Sequence, residues 1–210
     1  MLLIGVNLAH AEEFSFGDDL RASGWRTVSF AKIAPVAFSA RGGILEVAAN
    51  NAAGLLWHAL KVPRPAPATA QWSWKVDQGV RPTDLTKRGE DDRAIAVYFV
   101  FGEASDAAKA PTALLSTSTT RALVYVFGGN GPRAALLPSP HMGQRGKFII
   151  LRPADAPKQQ WLHESVDLTA DYVRAFSHLP NHLLAVAVSS DSDDTRGRNR
   201  AQIRGLKIDR

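Results

Sequence analysis

Apolar residues in this chain recur in short bursts separated by Gly, Pro, Asn and Asp, which is the spacing of β-strands joined by turns. Strands are expected near 24–30, 43–49, 54–60, 69–77, 93–101, 122–128, 147–152, 159–166, 183–190 and 201–208. The clearest alternation lies at 71–77, where Trp72, Trp74 and Val76 share one face and Gln71, Ser73, Lys75 and Asp77 the other. Residues 94–101 are apolar on both faces instead, so that strand should sit centrally, covered on both sides, with Tyr98 needing a partner for its hydroxyl. One segment keeps a different period. Leu168, Tyr172, Val173, Phe176 and Leu179 recur at steps of three and four, which predicts an amphipathic helix near 168–179, capped by Asp167 or Thr169 and stopped by Pro180. The expected fold is therefore all-β: a two-sheet antiparallel sandwich of jelly-roll type with one short helix.

At 210 residues such a sandwich fits one domain, placed at 12–210. The Pro-rich stretch 63–67 and the segments 78–92, 103–120 and 129–146 read as irregular excursions. Apolar residues make up 45% and charged residues 21%, so the chain can bury a real core. The net charge of +5 is scattered apart from Arg196, Arg198 and Arg200, which argues against nucleic acid as a partner. Cysteine is absent, excluding disulfides, thiolate metal sites and cysteine nucleophiles. No apolar run reaches the ~18 residues of a membrane helix. Residues 1–11 are apolar and end in Ala9-His10-Ala11, resembling the back half of a secretory signal without its basic start. The expected location is periplasmic or secreted; the alternative is a first strand.

No GxSxG elbow, HExxH or P-loop is present, and FGGNGP at 127–132 lacks the Lys-Ser/Thr of a phosphate loop and reads as a turn. The six histidines show no close ligand spacing. Acidic clusters remain. Glu90, Asp91, Asp92 and Arg93 directly precede the most apolar strand, where they could bind sugar hydroxyls or a hard cation, or act as an acid and base pair. The plainer reading is a solvated loop. Asp191, Asp193 and Asp194 follow another apolar strand and are oxygen ligands of the kind calcium takes; the plainer reading is a turn in which Asp and Ser bond their own backbone. Trp72 and Trp74 would stack on sugar rings if they face outward, or fill the sandwich core if they face inward.

Together Gly24-Trp25, Trp72-Ser73-Trp74-Lys75-Val76, Gly89-Glu90-Asp91-Asp92, Asp171-Tyr172-Val173-Arg174-Ala175-Phe176 and Asp191-Ser192-Asp193-Asp194-Thr195 resemble a bacterial family known as domain of unknown function 3047. Glu90 and Val173 are departures from its pattern. The resemblance implies an exported protein with sheets like those of the concanavalin-like jelly rolls, a fold in which many members bind or cut polysaccharides.

The expected function is a non-enzymatic binding domain for a glycan or other polar ligand of the cell envelope. Its ligand-binding residues would be Asp91, Asp92, Arg93, Trp72 and Trp74, with Asp191, Asp193 and Asp194 holding calcium if a metal takes part. The alternatives are a glycan-cleaving hydrolase or lyase that uses a carboxylate pair, and a purely structural envelope protein.

Overall fold

The computed structural model describes residues 11–65 and 69–209. The signal-like segment therefore lies outside the described residues except for Ala11. In chain order the elements are β1 (Glu12–Glu13), β2 (Trp25–Ser29), β3 (Ala37–Arg41), β4 (Ile44–Asn50), β5 (Ala53–Pro65), β6 (Thr69–Gln78) and β7 (Arg93–Gly102). Then follow α1 (Pro111–Ser116), β8 (Arg121–Phe127), β9 (Leu136–Ser139), β10 (Gly143–Arg152), β11 (Leu162–Asp167), α2 (Leu168–Phe176), β12 (His182–Asp191) and β13 (Arg198–Asp209).

They form two sheets. One runs β11-β6-β13-β4-β3, with β1 added against β13; the other runs β2-β5-β12-β7-β8-β10-β9. Every ladder among these strands is antiparallel except β8 with β10, whose strands run parallel because β10 enters between β8 and β9. The stretch 129–146 is thus partly strand rather than a free loop. Strand β5 likewise continues through Pro63 and Pro65, and 103–120 holds α1 and a 3-10 turn at Ala104–Asp106.

Between the sheets lies the main core, built from alternate residues: Trp72, Trp74 and Val76 of β6 and Ile203 of β13 face Val97, Phe99 and Phe101 of β7 and Tyr125 of β8. Trp72 and Trp74 are 0% exposed and pack edge to face, 5.5 Å between ring centroids. They cannot meet a ligand. The expectation that they bind sugars is corrected: the alternation was right, but their shared face is the inner one, and the polar partners Ser73 and Lys75 take the outer face.

The seven-stranded sheet is apolar on its other side too. Leu55, Trp57, Ala96, Val100, Val124, Val126 and Phe148 form a second core on that outer face, covered by Leu114 of α1 and by Leu85. This explains β7, which is buried at all ten positions. Helix α2 starts where Asp167 accepts a hydrogen bond from the Ala170 amide at 2.8 Å, and ends at Ser177 in the left-handed conformation, φ 63°. Its Asp171 accepts the Tyr125 hydroxyl at 2.8 Å, tying the helix to β8.

Candidate functional site

The outer face of the seven-stranded sheet is not covered completely. A cavity of about 480 Å³ opens over the ends of β5, β7 and β12, in the size range of a small-molecule site. Its apolar wall includes Phe30, Ile33, Leu55, Val124, Met142 and Phe148. Its polar end is made by Asp91, Arg93, Tyr98, His141, Asp191, Asp193 and Asp194.

A β-bulge builds that end. Along β7, Ile95, Val97, Phe99 and Phe101 face the main core, so strict alternation would send Arg93 inward as well. Against β12, however, Ala96 pairs with Ser189 and Arg93 with Asp191, three residues opposite two. The extra residue turns Arg93 to the outer face, where it meets Tyr98. Gly128, just after β8, makes room. A Cβ there would lie 3.0 Å from the Cβ of Arg93, and its φ of 148° suits glycine.

Arg93 is 5% exposed and holds the polar end together. Its Nη1 donates to the backbone carbonyl of Asp91 at 2.8 Å, to Asp91 Oδ2 at 3.2 Å and to Asp191 Oδ2 at 3.3 Å; Nη2 donates to the Tyr98 hydroxyl at 2.9 Å. This supplies the partner that the buried Tyr98 hydroxyl requires. Burial works against the charge, but the Tyr98 hydroxyl and the Asp91 carboxylate that accept from it outweigh that and keep the guanidinium protonated. Nε is left without a partner among the described residues.

The carboxylates around it differ in protonation. Asp91 is nearly fully buried, which alone would raise its pKa, yet hydrogen bonding from His141, whose Nε2 lies 3.2 Å from both oxygens, and the charge of Arg93 hold it below the ordinary carboxylate value. Asp191 goes the other way. Burial, opposed by Arg93 but reinforced by Asp193 and Asp92, pushes it up to about 9, so it keeps a proton through the neutral range. Asp194 is also raised, first by burial and then by Asp92, Asp193 and Asp91.

Asp92 does something else. It is 0% exposed and accepts from the amide of Thr195 at 2.7 Å, from the Thr195 hydroxyl at 2.5 Å and from the Asp194 amide at 3.3 Å. It staples the 192–197 turn to the start of β7 and does not line the cavity. Carboxylate oxygens of Asp92, Asp193 and Asp194 lie within 4.8 Å of one another. The trio that converges is thus not the expected Asp191, Asp193 and Asp194, because Asp191 turns to Arg93. Of the residues singled out in the sequence, Asp91, Arg93, Asp191, Asp193 and Asp194 come together at the cavity, from segments about a hundred residues apart. His141, Phe30, Met142 and Phe148 were not foreseen there. A lone histidine in a Pro- and Gly-rich stretch carries no spacing signal, and the apolar residues look like any others of their strands.

A family model described as protein of unknown function (DUF3047) matches residues 23–207. No curated protein matches the chain. Among solved structures, the xyloglucanase domain of NopAA, a type three effector from Sinorhizobium fredii, aligns at 9% identity with a TM-score of 0.48, covering 89% of this chain and 93% of that one. A family 29 carbohydrate-binding module from Piromyces equi aligns at 9% identity and TM-score 0.47, covering 96% and 91%. A cellulase derived from Cel12A of Rhodothermus marinus aligns at 12% identity and TM-score 0.46, covering 95% of each chain.

Proposed function

We propose that this chain, which belongs to the DUF3047 family, is a binding domain that takes a small polyhydroxylated ligand, of glycan type, into the cavity on the outer face of its seven-stranded sheet. The observation that carries the reading is the cavity's division. One end gathers carboxylates around a buried arginine, and most of the remaining wall is aromatic and aliphatic. Sugar hydroxyls both donate and accept, so they suit an end where carboxylate oxygens and guanidinium donors adjoin, while the apolar faces of the ring pack on the exposed Phe30 and the half-buried Ile33 and Met142. The polar outer face of the other sheet, with Gln71, Ser73, Lys75 and Asp77, offers no comparable enclosure.

The test is thermal unfolding with a panel of neutral oligosaccharides, on the wild type and on Thr112→Trp, which plugs the mouth from an exposed position of α1. A ligand at about 100 times its Kd adds ~2.7 kcal/mol, which raises the midpoint by several degrees for a chain of this size. At least one oligosaccharide should do so for the wild type and not for the plugged variant. No rise with any sugar, or equal rises in both proteins, would overturn the proposal.

A second reading is favoured by one observation. Asp91 is held ionised and Asp191 protonated, and both reach the same Arg93 nitrogen, at 3.2 and 3.3 Å. Two oxygens on one nitrogen lie at most about 6.5 Å apart, the lower edge of the ~6.5–9.5 Å of an inverting glycosidase pair, and leave room for the ~5–5.5 Å of a retaining one. Release of reducing ends from a panel sugar, lost in Asp191→Asn while binding persists, would establish it. Intact sugar after prolonged incubation would exclude it for that substrate.

A further inference from the structure

The chain as a whole carries +5, yet the polar end of the cavity collects the opposite sign. The basic side chains within reach are committed. Arg93 serves Asp91, Asp191 and Tyr98, and His141 serves Asp91. Arg145 also lines the cavity, but its Nη1 donates to the carbonyls of Leu115 and Thr117 on the α1 side. Among the described residues no cationic side chain pairs with Asp193 or Asp194. Two carboxylates thus stand without a counter-charge at the mouth of a cavity whose far wall is apolar. Beside them Arg93, more than nine-tenths buried, lines the same cavity with its donors already turned to Asp91, Asp191 and Tyr98.

An inorganic ion answers this poorly. Calcium takes six to eight oxygens, whereas Asp92, the third carboxylate of the convergent trio, already has both oxygens occupied by the turn it staples. An ammonium group needs only two or three acceptors and can carry an organic body along the apolar wall. We propose that the cavity selects a cationic ligand of amino-sugar type, its ammonium held by Asp193 and Asp194 and its body laid along the apolar wall. This rests on the cavity being the binding site and names the class of ligand it takes. Burial first, and the neighbouring acids after it, raise the pKa of Asp191 and Asp194, and a cation placed among them relieves the repulsive part.

The experiment is calorimetric titration of the full chain at pH 6 with a chitosan tetramer, whose units carry free amines, and with the fully N-acetylated tetramer, which shares the backbone without the charge. Calcium chloride is titrated in parallel. The amine form should bind at least tenfold more tightly. That preference should vanish in Asp194→Asn, an exposed site where folding is not at stake, and in Asp193→Asn; it should survive in Asp18→Asn, far from the cavity. Equal or tighter binding of the acetylated tetramer overturns the amine preference and leaves the cavity reading intact. Binding of calcium alone overturns it in favour of a metal. If neither tetramer binds, the amine preference falls, and the cavity reading falls with it only if every neutral sugar of the wider panel fails as well.

Discussion

At the residue scale everything at the polar end depends on Arg93. Replacing it with Met would leave Asp91 buried without its cation, and losses of ~3–5 kcal/mol are usual when a buried pair is broken from one side. Chemical denaturation of Arg93→Met should show a loss of that order; a loss under ~1 kcal/mol would mean that the pair is not held as described. Asp191 has a distinct signature. Its native value of about 9 lies above the ordinary 3.8, so the folded protein keeps a proton that the unfolded chain has released. Stability from this group is therefore greatest below pH ~4, declines as pH rises toward 9, and is flat beyond, with a slope of at most ~1.4 kcal/mol per pH unit. Asp91 acts in the opposite sense, its contribution being lost only as pH falls through its depressed value. Unfolding free energies of Asp191→Asn at pH 5, 7 and 9 should lack the decline that the wild type shows. The residues of this end were legible as clusters because charges beside apolar strands stand out. Their partition was not: Asp92 as a turn staple, Asp91 as a cavity wall and Asp191 as an acid depend on one bulge and on Gly128, neither of which composition or spacing reveals.

At the scale of elements, the period of the apolar pattern located ten strands and the helix, since each keeps its own rhythm. Strands β1, β3 and β9 escaped because nearly all their positions are exposed or half-buried and show no clear apolar face, and α1 because six residues are too few for a helical period. For β6 the rhythm gave the shared face of Trp72 and Trp74 but not its direction, which is set by the sheet that packs against it. Truncating Trp72 to Ala should cost ~3–5 kcal/mol by opening a cavity in the main core, without removing any group from the candidate site. Helix α2 ends on Ser177 at φ 63°, a conformation that a side chain disfavours by about 1 kcal/mol. Ser177→Gly should accordingly raise the unfolding midpoint by a few degrees, and a fall would show that the serine side chain carries some other contact.

At the scale of the molecule, the two sheets are unequal. The six-stranded sheet presents a polar outer face, on which Arg204 stacks 4.2 Å from the centre of the Trp161 ring, while the central strands of the seven-stranded sheet are buried on both sides and the cavity opens on its outer face. That asymmetry was half legible: the doubly apolar β7 implied a covered central strand, but not that its covering would stop short of the acidic turn. Where a ligand binds is therefore the question that bears most directly on function. The most direct measurement is a map of backbone amide shifts as an isotopically labelled sample is titrated with the oligosaccharide that raises the unfolding midpoint most. Shifts are expected to cluster at Asp91, Arg93, His141, Phe148 and Asp191–Asp194, with residues 71–77 and 200–204 unmoved. Shifts confined to that second set would contradict the assignment and move the binding face to the opposite sheet.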